Sequence, residues 1–386
     1  MADKLRYGII GIGNMGTSHI RMYVEGKIKE MVLTAVCDIR QERLDFALTK
    51  VPDVKTFTST DELFDSGLID AVIIATPHYL HPPLATQALK KGIHVLSEKP
   101  AGVYTKDVRE LIEFVKTQDK TYAIMFNQRT NCVYRKAKEL VSSGKYGEIR
   151  RVNWIITDWF RTQEYYNSGG WRATWDGEGG GVLMNQAPHN LDLWQWICGM
   201  PSKIRAFCKN GQWHDIEVED DVTIYAEYPN GATGVFITTT GDCPGDNRLE
   251  ITLDKARIIC TASEITVEEL SDSISSFTYS AKDGFQKLES KKIDVETDGM
   301  NEQHAGVTNA FAAHILHGTP LIADGAEGIN GLTIANAAYL SSWLGKTIEL
   351  PLDEDLYLEE LNKRRATSVA KTNVSDKVKD DMSGTY

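Results

Sequence analysis

Positive charge is in deficit. The chain has 42 lysines and arginines against 54 aspartates and glutamates, a formal net charge of −12. The basic residues are scattered rather than clustered, so nucleic acid and anionic membrane are excluded as expected partners. Cysteine is sparse, with six in 386 residues at positions 37, 132, 198, 208, 243 and 260. None stands in C-x-x-C spacing, which excludes a disulfide framework and a zinc site, and no metal is expected. No run approaches the roughly 18 apolar residues of a membrane span. Asp3 and Lys4 precede a strand-like stretch instead of the apolar helical run of a secretory signal. A reducing cytoplasm is the expected setting, and the length suffices for two domains.

What the chain does have is glycine in a pattern. Gly8-Ile9-Ile10-Gly11-Ile12-Gly13-Asn14-Met15-Gly16 is a G-x-G-x-x-G loop after a short apolar run. Gly11 permits a tight turn. Gly13 has no side chain to hold a pyrophosphate away from the backbone. Gly16 lets the following helix pack close to the strand, its N-terminus facing the phosphates. Such a loop alone is weak, since ordinary α/β units also have Gly-rich turns. Here a second apolar run, Met31–Cys37, ends in Asp38, 22 residues beyond Gly16. A carboxylate there accepts hydrogen bonds from both adenosine ribose hydroxyls and repels a 2′-phosphate. The expected cofactor is NAD; Arg40 leaves NADP open or covers the adenine. Gly11, Ile12, Gly13, Asn14, Met15, Gly16, Asp38 and Arg40 are its first expected contacts.

Strand and helix patterns alternate as far as residue 126. Near-continuous apolar strands such as 71–75 suit a parallel sheet buried on both faces. Beyond residue 127 period-two strands dominate, at 151–159, 221–228, 233–240 and 249–260, with Pro229-Asn230-Gly231 marking a hairpin turn. Helices are expected at 183–198, 304–316 and 329–344. The fold class is therefore α/β: an N-terminal Rossmann doubly wound parallel sheet, then a C-terminal α+β domain with an open-faced, mostly antiparallel sheet. The expected division is 1–126 for NAD binding, 127–361 for substrate binding and oligomerisation, and 362–386 as a polar tail. Trp154, Ile156 and Phe236 alternate with polar residues, and read as an exposed face that another copy would cover. A homodimer or homotetramer is expected.

Three segments carry chemistry. Thr76-Pro77-His78 and His81 follow a buried strand, at the carboxyl edge where doubly wound sheets bind ligands. Glu98-Lys99-Pro100 follows the next strand. A lone lysine is usually solvated, but one placed there can stabilise the alkoxide that forms as hydride leaves. Gly179-Gly180-Gly181 leads into a helical pattern bearing Asn185, His189 and Asp192 on one face. A lone histidine on an apolar helix is usually structural; its polar neighbours favour an acid/base role for His189. Thr76, Pro77, His78, His81, Glu98, Lys99 and Asn127 complete the expected cofactor contacts.

These segments together resemble the Gfo/Idh/MocA family, named for glucose-fructose oxidoreductase and inositol dehydrogenase, from Tyr7–Gly16 to about Leu361. The resemblance implies a Rossmann domain joined to an open-faced sheet, NAD(P)-dependent chemistry on sugars, inositols and their derivatives, and assembly through the open sheets. It implies Lys99 and His189 at the reacting hydroxyl or carbonyl, and a cis Lys99–Pro100 peptide. The chain departs from it at Asn185, where inositol dehydrogenase-like members often carry Asp. An amide can only hydrogen-bond, so Asn185 is expected to orient a substrate hydroxyl while His189 is acid/base and Lys99 polarises oxygen. His78, where the family often has Asn, is a second departure.

Asp158, Trp171, Arg172, Trp175 and Asp176 belong to a cluster of aromatics, arginines and glycines before the glycine run. Aromatic faces stack on sugar rings, and charged groups bond hydroxyls; the same cluster equally suits an interface. Arg129 either faces the cleft as a substrate contact or joins domains by a salt bridge. Gln303 and His304 open a later helix near enough in pattern to consider. The expected activity is hydride transfer between NAD and a secondary hydroxyl of a sugar, glycoside (C3 of a glucoside included) or polyol. The alternatives are an NAD-dependent glycoside hydrolase working by transient C3 oxidation and elimination, an inositol dehydrogenase, and a cofactor-sensing protein without chemistry.

Overall fold

The structure is a computed structural model that describes residues 4–369, 371 and 374. Six parallel strands form the first sheet: β1 (Leu5–Ile10), β2 (Met31–Cys37), β3 (Lys55–Phe57), β4 (Ala71–Ile74), β5 (His94–Ser97) and β6 (Tyr122–Ile124). Their order is β3-β2-β1-β4-β5-β6. Every residue of β4 is buried, which requires helices on both faces. The order reverses between β1 and β4, so the loops after these strands, at Gly11 and Ala75, flank the crevice where ligands bind in such sheets.

The second sheet has nine strands: β7 (Ile149–Ile156), β8 (Lys203–Asn210), β9 (Glu219–Glu227), β10 (Thr233–Thr239), β11 (Asn247–Leu253), β12 (Ala256–Cys260), β13 (Ile265–Leu270), β14 (Ser290–Asp294) and β15 (Ile348–Glu349). Their order is β14-β13-β12-β11-β7-β10-β9-β8-β15. β7 and β10 run parallel; the other pairs are antiparallel. The hairpin at Pro229-Asn230-Gly231 is present. The single expected strand 249–260 is instead β11 and β12, turned at Asp254-Lys255.

Helices cover one face of this sheet, and that face carries Trp154, Ile156 and Phe236. All three are fully buried, and Trp194 from the helix Pro188–Cys198 stacks on Phe236 at 5.2 Å. The expectation that these residues are exposed is corrected. Successive strand residues alternate faces, so the open face bears their neighbours. Ile155, Tyr225 and Phe207 lie there, 39%, 41% and 54% exposed.

The chain also crosses back. Val307, Phe311 and Ala312 of the helix Gln303–His317 join the core beneath the first sheet. A helix at Glu354–Arg365, capped by the Asp353 side chain, runs through residue 362, where a tail was expected. Of that tail, residues 370, 372–373 and 375–386 lie outside the described residues. Ser368 accepts the Asp176 N–H at 3.3 Å, and Lys371 donates to the Tyr166 carbonyl at 2.7 Å.

Candidate active site

The nucleotide loop is built by backbone proximity. Gly11 has φ +87°, and a Cβ there would lie 2.6 Å from the Ala75 carbonyl oxygen. A Cβ on Gly16 would overlap the Gly11 carbonyl. At Gly13, the residue preceding the helix Asn14–Val24, a Cβ would meet nothing within 4 Å. The loop thus closes on itself at two glycines and stays open at the third, beside a helix N-terminus suited to phosphate. The Asp38 carboxylate sits next to it, accepting the Ile12 N–H at 2.6 Å and the Arg40 N–H at 2.9 Å. Thr76 Oγ1, Glu98 Oε2, Asn127 Oδ1 and both ring nitrogens of His189 are buried without a hydrogen-bond partner among the described residues. These donors and acceptors fit the amide and hydroxyl groups of a nicotinamide ribose and an alcohol.

Lys99 follows β5, and its peptide with Pro100 is cis. Its Nζ donates to the Asn185 carbonyl at 2.7 Å. Asn185 belongs to a turn and not, as expected, to the helix bearing His189. That helix starts at Pro188. Pro188 has no N–H with which to continue the turns at 182–187, and its fixed φ suits the first helical position. Glu219 on β9 holds the turn: its buried carboxylate accepts the N–H groups of Gly181 and Leu183, both at 2.9 Å, and the Tyr339 hydroxyl at 2.7 Å. Burial pushes the Glu219 carboxyl up to about 7, against these three donors.

Burial lowers the Lys99 ammonium to about 8. Burial, then the charge of Lys99, holds His189 well below the ordinary imidazole range. His189 is therefore neutral around pH 7, with unoccupied ring nitrogens, close to a cation whose proton is loosely held. Glu98 is buried too, yet the hydrogen bond from His19, with Nε2 to Oε1 2.8 Å apart, and the charges of His304 and Lys99 keep its carboxyl at about 2. His304 Nε2 stands 3.9 Å from the same oxygen. A carboxylate faced by two imidazoles thus stands next to the lysine.

Several expected ligands have other work. His81 is not a cofactor contact: its ring lies between the carbonyls of Pro100 and Thr76, 2.7 and 2.8 Å from its two nitrogens. It ties the two strand-end loops together. Arg129 is not a substrate contact. It is buried and forked onto Asp192, at 2.8 and 2.7 Å, with Glu327 at 2.7 Å, a salt bridge as in the alternative reading, though both partners lie within 127–361 and it joins no two domains. Asp192 is turned away from any role beside His189 for the same reason. Trp175 packs on Tyr339 and Trp343, and its indole N–H donates to the Glu217 carbonyl at 3.0 Å. Asp176 is exposed and paired with Arg365 at 3.0 Å. Asp158 is exposed beyond β7 beside Asn247, and no contact among the described residues joins it to Lys99 or His189.

Trp171 and Arg172 do gather near the lysine. Trp171 meets His78 edge-on at 5.7 Å, and Arg172 lies over the Trp171 and Tyr165 rings. His78 itself is buried, with Nδ1 3.1 Å from the Glu178 carbonyl. Sequence reasoning missed Glu178, Glu219 and His19; Tyr165 belongs to the aromatic cluster it did single out. The signal for Glu178 was present: a lone carboxylate between Gly177 and Gly179. His19 sits three residues after Gly16, one turn into the helix, and nothing in its spacing announces Glu98.

The crevice loop on a 3-2-1-4-5-6 parallel sheet, met by a second sheet across buried titratable side chains, defines a two-domain dehydrogenase that uses NAD to oxidise or reduce at an alcohol carbon. Residues 5–126 match the family model for the oxidoreductase family with an NAD-binding Rossmann fold. Residues 134–259 match that for the GFO/IDH/MocA C-terminal domain. The chain belongs to the Gfo/Idh/MocA family. It is 26% identical to the myo-inositol 2-dehydrogenase of Thermotoga maritima over 274 residues, 69% of this chain and 78% of that protein. The WlbA dehydrogenase of Bordetella pertussis, solved with NADH and UDP-GlcNAcA, superposes with a TM-score of 0.77 at 25% identity, covering 91% of this chain and 100% of that one. A levoglucosan dehydrogenase solved with NADH and levoglucosan shares the fold, with a TM-score of 0.76 at 20% identity over 90% of this chain and 100% of that one.

Proposed function

We propose that the protein transfers hydride between NAD and a secondary hydroxyl of a sugar, glycoside or polyol. Bound NAD supplies the hydride acceptor. The chain's own residues handle the proton and the oxygen charge. His189, neutral and unpartnered, takes the hydroxyl proton during oxidation and returns it during reduction. Lys99, as ammonium, donates to the same oxygen and stabilises its developing negative charge. The observation that carries this reading is the tie between Lys99 Nζ and the Asn185 carbonyl, which anchors the lysine to the turn leading into the His189 helix. Arg172 and Trp171, beside Tyr165, supply a flat and hydrogen-bonding wall that suits a sugar ring. The similarity to a myo-inositol 2-dehydrogenase and to a WlbA dehydrogenase solved with UDP-GlcNAcA supports the same substrate class.

The test is the rise of NADH absorbance on adding myo-inositol, levoglucosan, a methyl glucoside, a phenyl glucoside or UDP-GlcNAcA to protein and NAD. Turnover of at least one, abolished in Lys99→Ala, is expected. Silence across the panel, with NAD shown to bind, would overturn the reading. We also propose that two copies meet through the open face bearing Ile155, Tyr225 and Phe207, whose exposed apolar side chains stand across neighbouring strands.

A further inference from the structure

Glu178 lies in none of the segments from which the chemistry was first read. Its side chain is 1% exposed, and four groups converge on the residue. The Ala173 N–H reaches Oε2 at 2.5 Å. The Asn185 side-chain amide donates to Oε1. Arg172 Nη1 stands 3.8 Å from Oε1. The Glu178 carbonyl in turn faces His78 Nδ1. Asn185 is a hub in this arrangement, because its backbone carbonyl receives the Lys99 ammonium while its side chain binds Glu178. The surrounding backbone is arranged for close approach. Ala173 has φ +54°, and a Cβ at Gly177 or Gly179 would run into Trp171 or Val103.

We propose that Glu178 is a positioning residue for Lys99: its buried carboxylate grips the Asn185 amide and thereby fixes the carbonyl that holds the lysine. Its negative charge, which its own burial opposes, favours the ammonium form. The inference rests on the proposed role of Lys99 and specifies what sets it. Other groups act on Lys99 as well. Burial disfavours the ammonium most, Glu98 favours it, and Arg172 and Arg161 oppose it; His78, His81, His189 and His304 face it as well and are pushed toward the neutral form by burial and by its charge. Glu178 differs from Glu98 in being joined to the lysine through one residue, so its removal changes both charge and geometry.

The chain suggests its own control. In Glu178→Gln the new amide keeps both contacts only if the Asn185 side-chain amide turns over to present its oxygen, and the charge is gone. In the double variant Glu178→Gln with Asn185→Asp, the introduced amide accepts from Ala173 and donates to the introduced carboxylate, restoring both bonds and one charge. The experiment is carbon-13 NMR of the full chain with lysine labelled at Cε, Lys99 being assigned by its loss in Lys99→Arg. Wild-type Lys99 is expected to titrate near pH 8, about one pH unit lower in Glu178→Gln, and back near the wild-type value in the double variant. An unmoved midpoint in Glu178→Gln overturns the proposal. If that variant does not fold, the double variant decides: a midpoint near wild type supports it, and one well below overturns it. No substrate is needed, so this outcome is independent of whether any alcohol in the panel is oxidised.

Discussion

Two glycine-rich loops meet at the site, and they use glycine for opposite purposes. In residues 11–16 the middle glycine faces open space beside a helix N-terminus, Gly16 lets the loop fold on Gly11, and Gly11 lets it lie against Ala75 of the neighbouring strand-end loop. In residues 177–181 each glycine lies against the protein's own atoms: Gly177 against Trp171, Gly179 against Val103, Gly180 against Tyr339 and Gly181 against the Glu219 carbonyl. The first loop leaves room for a ligand. The second leaves room for buried carboxylates, Glu178 and Glu219, which hold the turn between Lys99 and His189. The comparison teaches that a glycine run signals close approach, and that only the fold says whether the approaching group is foreign.

The largest effect should come from removing what the second loop positions. Lys99→Ala is expected to lower kcat about 1,000-fold, with NAD affinity by calorimetry changed by less than about threefold; a parallel loss of binding would mean that the two loops do not divide the work. Next is the second loop's own packing. Gly181→Ala drives a methyl into the Glu219 carbonyl and should cost about 3 kcal/mol in a denaturant titration. Gly13→Ala has space for its methyl, so stability should hold while NAD binds about tenfold more weakly, or about 1.4 kcal/mol. Equal melting losses in the two variants would erase the contrast.

The pH profile sharpens it further. Lys99 loses its charge as pH rises through about 8, while His189 stays neutral across that range. The kcat/KM for oxidation should therefore fall above about pH 8, and a rise through that value would assign Lys99 the proton-accepting role instead. The smallest effect is on the open sheet. Phe207→Glu should leave folding stability within about 0.5 kcal/mol and shift the mass seen by light scattering toward the monomer. An unchanged mass would place the interface elsewhere.

Much of the first half was legible because its signals are local. Met31–Cys37 and Leu5–Ile10 are strands as read, Gly11 makes the tight turn and Gly16 the close packing that their spacing assigned. The second half was less legible. The helix expected from residue 183 starts at 188, where Pro188 takes the first helical position, and Glu219 from another strand holds the turn before it. The strands β8, β13, β14 and β15 passed unread; exposed positions dilute the alternation in the first three, and β15 has only two residues. Trp154 and Phe236 were assigned to the wrong face, since period-two patterning shows that a strand has two faces without saying which one a helix will cover. Arg129 gave even odds, and Asp192 decided it.

Sequence by itself determined the parallel sheet, the nucleotide loop, the acidic residue beside it and the lysine at a strand end, because each depends on residues within a few positions of one another. Tertiary structure alone decided which polar side chains are engaged by the protein itself and which are left open. That choice turns on partners far apart in the chain: Asp192 engages Arg129, Pro100 and Thr76 enclose His81, and Glu178 holds Asn185 against Lys99. A buried polar atom must find a partner, and only the folded chain shows which ones are taken.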